Sequence, residues 1–177
     1  MNTVIVSLGS NIEKEKNVPL ALDFLRAQCT VTAVSPIYET VPVGLRDQAN
    51  FFNLAVQIET ELDALRFKEQ VLTSLESYLK RQRQADPNAP RTIDADITLF
   101  NDEVFDYGHE NGRQRHIPDP DLLKFAHVAV PVADLLPDLP HPETGEPLRQ
   151  IAQRLLETAV DENGRSAIWP AIWPYTP

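Results

Sequence analysis

The sequence holds a single cysteine, Cys29, in 177 residues. No internal disulfide framework can form, and a lone thiol fits a reducing, cytoplasmic compartment. Cys29 lies among apolar residues at an expected helix-to-strand passage, which suits packing rather than reactivity. Long hydrophobic runs are missing too: none approaches membrane-spanning length, and the N-terminus lacks the basic-then-apolar pattern of a signal peptide. Positive charge is scarce, with 16 Lys and Arg against 26 Asp and Glu, a formal net charge of −10. Phosphate backbones and anionic lipids demand a basic face, so neither nucleic acid nor a membrane is expected as a partner. The basic residues that are present cluster, as Lys80, Arg81 and Arg83, then Arg91, then Arg113 and Arg115. Clustered arginines in an acidic chain suit a small polyanion. A hydrophobic share of 42 % and a charged share of 24 % describe one globular domain with a real core.

The chain is organised around Pro90-Arg91-Thr92-Ile93-Asp94-Ala95-Asp96-Ile97-Thr98-Leu99-Phe100. Its second half alternates like a half-buried strand, with Ile93, Ala95, Ile97 and Leu99 on one face and Asp94, Asp96 and Thr98 on the other. Two carboxylates two residues apart on a strand point the same way, within reach of one hard cation. Arg91 just before them suits a metal-bound phosphate, although a polar strand face with an ion pair has the same pattern.

In order, residues 3–8 read as a strand ended by Gly9-Ser10-Asn11. Asn17 is a candidate cap for a first helix with Pro19 in its first turn and Val18, Ala21, Leu22 and Leu25 as its apolar stripe. Residues 29–40 read as a second strand with Pro36 at an edge or bulge. Phe52, Leu54, Val56 and Ile58 alternate as a third, with Asn53 on the opposite face. Asp63 caps a second helix whose stripe is Ala64, Phe67, Val71, Leu75 and Leu79, with Glu76, Lys80, Arg81 and Arg83 on other faces. The order strand, helix, strand, strand, helix, strand predicts an α+β, ferredoxin-like fold: an antiparallel sheet with two main helices on one face, plus a C-terminal extension. Residues 101–119 read as loop with a short strand near Val104-Phe105, and Arg149–Thr158 as a short amphipathic helix. Residues 1–160 are expected to form the domain, and 161–177 a Trp- and Pro-rich tail that packs back on it. A monomer is expected, with the tail as the place for weak self-association.

Taken together, these pieces resemble the 6-hydroxymethyl-7,8-dihydropterin pyrophosphokinase family of folate biosynthesis. The resemblance rests on Leu8-Gly9-Ser10-Asn11, on Ser35-Pro36-Ile37-Tyr38-Glu39-Thr40 followed by Pro42-Val43-Gly44, and on Phe51-Phe52-Asn53-Leu54-Ala55-Val56. Leu75-Glu76 with Arg81 and Arg83 continues it, and Pro90 to Ile97 carries the strongest signature. It spans about residues 3–150. It implies transfer of diphosphate from ATP to the pterin's hydroxymethyl oxygen, with a pair of Mg²⁺ ions on Asp94 and Asp96. It further implies Arg81 and Arg91 as catalytic phosphate clamps and Arg83, Glu76 and Ile97 at the nucleotide site. Thr40, Val41 and Val43 would border the pterin, Asn53 would read its polar edge, and Phe51 would stack on its ring.

Some positions depart from the family pattern. The family's Ile-Pro-His-Pro run is Ile117-Pro118-Asp119-Pro120 here, which puts Asp119 where phosphate approaches and leaves His116 as the candidate substitute. Phe125 aligns with an arginine, His127 with the second stacking aromatic, and Asn88 with a loop tryptophan. Gln114 aligns with an arginine but is flanked by Arg113 and Arg115, so Arg115 joins the expected nucleotide contacts. The expectation is an ATP- and Mg²⁺-dependent pyrophosphokinase for hydroxymethyl-dihydropterin or a close relative. The alternatives are a non-catalytic pterin- or nucleotide-binding paralogue and, outside the family, a D-x-D nucleotide-sugar transferase.

Overall fold

The computed structural model describes residues 1–45, 47–86, 88–108 and 114–172. β1 (Asn2–Ser10) leads to α1 (Lys14–Gln28), β2 (Thr30–Val34), β3 (Tyr38–Thr40) and β4 (Phe51–Thr60). A broken helix follows, with α2 (Ala64–Phe67), a π turn (Lys68–Leu72) and α3 (Thr73–Tyr78), before β5 (Asp94–Phe100). The hairpin β6 (Phe105–Gly108) and β7 (Gln114–Ile117), a 3₁₀ turn (Pro120–Leu123), α4 (Ala126–Leu135), α5 (Leu148–Thr158) and β8 (Ile168–Pro170) complete it. The main sheet is antiparallel in the order β5-β1-β4-β3-β8, and β2 also pairs with β4.

The expected second strand is two strands, because Pro36 has no N–H for the ladder. Ser35 closes the gap: its N–H donates to Ala55 O at 2.9 Å and its Oγ accepts the Ala55 N–H at 2.9 Å. Asn17 is not the cap of α1, which begins three residues earlier behind Glu13 in a left-handed conformation (φ 43°). Asn17 instead lies inside the helix and donates its amide to Ile12 O at 2.7 Å, fixing the entry loop. Asp63 does cap α2, accepting the Arg66 N–H at 2.8 Å. Asp63→Ala is therefore expected to cost about 1 kcal/mol, read as a shift of the urea midpoint without a change in slope.

The two main helices, α1 and the broken α2–α3, lie together on one face of the sheet, as the ferredoxin-like order predicts, and the C-terminal extension packs on the other. Val4, Val6, Leu8, Leu54, Val56 and Ile97 pack under α1, α2 and α3. Ile5, Ala55 and Leu99 pack under α4 and α5. Leu99 shares that second face because the pairing slips between Ile5 and Val6: Val6 opposes Ile97 but Ile5 opposes Leu99. The extra residue, Thr98, is a β-bulge that turns Leu99 away from the face of Ile97, contrary to simple alternation. Helices α4 and α5 cover only this lower half of the face. The upper half, with Ser7, Gly9, Asn53, Asp94 and Asp96, is left open as a cleft. α4 is one helix with Pro131 inside it. Of the expected tail, Ile168–Pro170 is a strand at the sheet edge, paired with Tyr38–Thr40; Trp173 falls outside the described residues.

Candidate active site

Gly9 sits at the middle of the cleft floor, opposite Asn53 of β4 on one side and Asp94 of β5 on the other. A Cβ there would stand 3.0 Å from the Asn53 Oδ1, so glycine is needed for the side chain of Asn53 to lie across the strand. Gly9 thus belongs to the strand and not to the turn. Asn53 is buried and donates its Nδ2 to Thr40 Oγ1 at 2.7 Å, which leaves its carbonyl oxygen facing the cleft. Thr40, Val41, Val43 and Phe51 form the wall beside it. Phe125 and His127 also line the cleft, and their rings stack at 5.2 Å and 23°. The cleft holds about 320 Å³, roughly the lower end of small-molecule sites.

The carboxylates lie at the other end. Asp94 and Asp96 both face the cleft, and each is paired with two cations. Asp94 accepts from Arg81 on Oδ1 and from Arg91 on Oδ2. Asp96 takes Lys68 at 3.0 Å and Arg115 at 2.6 Å, both on Oδ1. Behind them, buried Glu76 holds Arg81 at 2.7 Å and Arg83 at 2.9 Å. Five basic side chains therefore converge on three carboxylates in a chain that is strongly acidic overall. Burial alone would raise the Asp96 carboxyl, but Lys68 and Arg115 outweigh it and hold the group well below the ordinary range.

Two hard carboxylates without a third ligand nearby suit Mg²⁺, which keeps several waters and takes further oxygens from a bound phosphate. Among the described residues no group of three His, Cys, Asp or Glu is placed to cage a metal. The donor set thus fits a cation that arrives with a triphosphate. A guanidinium has the planar, doubly donating geometry that suits phosphate oxygens as well as carboxylates.

Several expected residues lie elsewhere. Ile97 is buried in the core on the far side of the sheet, so only its backbone is available to a nucleotide. Glu76, expected off the apolar stripe, is nonetheless buried, bridging the arginines. Arg83 is 55 % exposed and reaches the site only through Glu76. His116 does not line the cleft. Strand alternation turns Arg115 inward to Asp96 and His116 outward, between Asp106 at 2.7 Å and Glu143 at 3.0 Å. Those carboxylates raise its pKa, and they make it a brace between the hairpin and the α4–α5 loop. Residues 101–119 are accordingly not a loop: β6 and β7 pair within them, although Arg113 falls outside the described residues. Asn88, at the tryptophan position, lines the cleft against Gly44, where a Cβ would come within 2.7 Å of its amide nitrogen and φ is +80°.

Sequence reasoning missed Ser7, Thr98, Asp121 and Lys68. Ser7 and Thr98 share a 2.6 Å hydroxyl contact on the cleft floor, and the bulge that joins them leaves no pattern in sequence. Lys68 was detectable: it follows Ala64 by four residues on the apolar stripe, where a charge needs partners.

Asp119 lines the cleft and accepts the Asp121 N–H at 2.9 Å. Burial pushes its carboxyl from 3.8 up to about 6, against the Asp121 N–H and with the help of Asp96 and Asp121. Burial drives His127 the other way, from 6.5 to about 4, with Arg91 adding to it. The raised Asp119 stabilises the fold below pH ~4 and loses that contribution as pH rises through 6. The depressed His127 contributes above pH 6.5 and loses it as pH falls through 4. Asp119→Asn is expected to stabilise the chain by about 1–2 kcal/mol at pH 7.5, a figure reduced for the group's partial exposure, with the gain vanishing near pH 4. Urea unfolding at the two pH values checks it.

The 7,8-dihydro-6-hydroxymethylpterin-pyrophosphokinase (HPPK) family profile matches residues 5–137. The 2-amino-4-hydroxy-6-hydroxymethyldihydropteridine pyrophosphokinase of Bacillus subtilis is 39 % identical over 137 residues, covering 76 % of this chain and 78 % of its own. That of Pseudomonas aeruginosa is 34 % identical over 145 residues, covering 79 % and 84 %. Among solved structures, wild-type Plasmodium falciparum HPPK-DHPS superposes with a TM-score of 0.74 at 13 % identity, over 96 % of this chain and 48 % of that one. This chain spans about half the length of that protein, and the likeness is one of fold.

Proposed function

This chain belongs to the 7,8-dihydro-6-hydroxymethylpterin-pyrophosphokinase family of ATP-dependent diphosphotransferases in folate biosynthesis, and we propose that it performs the family's transfer at the cleft over Asp94 and Asp96. The observation that carries this reading is the shared floor: one sheet face presents Asn53, Gly9, Asp94 and Asp96 side by side. A flat heterocycle and a polyphosphate are both served within one small cleft.

In the reaction, the pterin hydroxymethyl oxygen attacks the β-phosphorus of ATP. The bond from that phosphorus to the α–β bridging oxygen breaks, AMP leaves, and the hydroxyl proton is released. Thr40 fixes the Asn53 amide so that its carbonyl accepts from the N–H edge of the pterin. Phe51 and the stacked His127–Phe125 pair, all lining the cleft, offer flat faces for the ring to stack on. At neutral pH the His127 imidazole is neutral, so it stacks without repelling the Arg91 guanidinium. Asp94 and Asp96 would hold Mg²⁺, which neutralises the triphosphate and polarises the attacked phosphorus. Arg91 lines the cleft and exchanges Asp94 for phosphate oxygens, Arg115 on Asp96 is a second guanidinium for them, and Arg81 steers Asp94. Positioning and electrostatics supply most of the rate in such transfers.

We read residues 1–160 as the catalytic domain and 161–177 as a Trp- and Pro-rich C-terminal tail, in a monomer. The free Cys29 thiol supports a cytoplasmic location. The test is AMP formation with ATP, Mg²⁺ and the reduced pterin. AMP that requires all three supports the reading; pterin binding without AMP points instead to a binding paralogue.

A further inference from the structure

Lys68 is the most deeply buried ionic side chain among the described residues, at 1 % exposure. It stands on the apolar stripe of the broken helix, flanked by the buried Phe67, Val71 and Leu72. A methionine there would complete the core at no electrostatic cost, whereas a buried ammonium costs several kcal/mol unless well paired. Packing therefore gives no reason for a lysine. Its partners do: Nζ donates to Ala95 O and to Asp96 Oδ1 at 3.0 Å, and lies 3.8 Å from Glu76 Oε1. Two of the three belong to the Asp94-Ala95-Asp96 strand itself.

The backbone is shaped to hold it there. Lys68 opens the π turn, and its carbonyl accepts both the N–H of Thr73 and, at 3.0 Å, the Thr73 hydroxyl. Single π turns occur frequently at functional sites, where they re-aim a side chain. The other cations on the carboxylates differ in kind. Arg91 lies on a loop at 17 % side-chain exposure and Arg115 on the hairpin at 26 %. They can swing toward an incoming phosphate. Lys68 is enclosed by core residues and bonded to backbone, so it stays.

We propose that Lys68 is a positioning residue: a permanent internal cation that locks Asp96 through Oδ1, so that its other oxygen alone is offered to a divalent ion. Among the described residues, no hydrogen bond is made to that other oxygen. A fixed positive charge behind the ligand also weakens the site for a bare divalent cation. The metal is then held firmly only when the triphosphate adds its own oxygens, which keeps the carboxylates from being filled before the nucleotide arrives. The inference rests on the reading of Asp94 and Asp96 as metal ligands.

The experiment is Mn²⁺ binding to the free chain, without nucleotide, followed by electron paramagnetic resonance. It compares wild type, Lys68→Gln, Lys68→Met and Asp96→Asn. Gln keeps donors for Ala95 O and Asp96 but removes the charge; Met removes both. Loss of the charge is expected to tighten Mn²⁺ about tenfold in either variant. It is also expected to lower kcat about tenfold or more in Lys68→Met, with a smaller loss in Lys68→Gln, while the KM for pterin stays put. If Lys68→Met does not fold, Lys68→Gln alone decides. Unchanged Mn²⁺ affinity in Lys68→Gln overturns the proposal and leaves Lys68 a structural residue, with the metal reading intact. If Asp96→Asn binds Mn²⁺ as the wild type does, the metal reading fails, and this inference with it.

Discussion

Asp94→Asn is expected to lower kcat at least about a thousandfold while the chain still folds. The carboxylate is a ligand of the proposed Mg²⁺ and carries the charge that holds it, and an amide supplies an oxygen without the charge. Loss of a group that stabilises charge on a transferring phosphoryl unit has effects of this size. The fold tolerates the change because the arginines keep other partners. Arg81 remains on Glu76 at 2.7 Å, and Arg91 has part of its side chain in solvent and donates its Nε to Ala89 O at 3.2 Å. A stability loss of about 1–2 kcal/mol is expected. Turnover measured beside the urea midpoint separates the effects, and retention of most activity would remove Asp94 from the metal site.

Asn53→Leu is expected to raise the pterin KM about a hundredfold and to leave the ATP KM unchanged. The side chain is buried, its nitrogen is committed to Thr40, and its oxygen lies over Gly9 facing the cleft. A leucine occupies a similar volume but offers no acceptor, so the N–H edge of the heterocycle is buried without a partner. Sites built to hydrogen-bond a substrate penalise that loss far more than the loss of a methylene. Asp94 and Asp96 are untouched by the change, and ATP should not sense it. An equal rise in both KM values would mean that Asn53 shapes the strand and does not read the ligand.

Much of this was legible in the chain itself. The alternation of Phe52 to Ile58, the Asp63 cap and the Asp94-Ala95-Asp96 face all rest on local rules, and the sheet and cap follow them. What was not legible depends on contacts between distant segments. The slip opposite Ile5 is a property of two paired strands, so Leu99 could not be assigned its face from β5 alone. Whether Arg115 or His116 points inward depends on the register of β6 against β7, in a stretch too polar to show a strand period. Asn17 has the chemistry of a cap, yet a one-turn extension toward Lys14 makes it an internal tie. The second helical layer was hidden by Pro131, which reads as a break but is accommodated within α4. Lys68 needed only the question of why a charge sits on a buried stripe.

The most direct measurement is the product balance of one reaction containing the chain, ATP, Mg²⁺ and 6-hydroxymethyl-7,8-dihydropterin, resolved by mass spectrometry. The account predicts one AMP for each pterin that gains a whole diphosphate. ADP with a singly phosphorylated pterin, or ADP with free phosphate and an unchanged pterin, would contradict it.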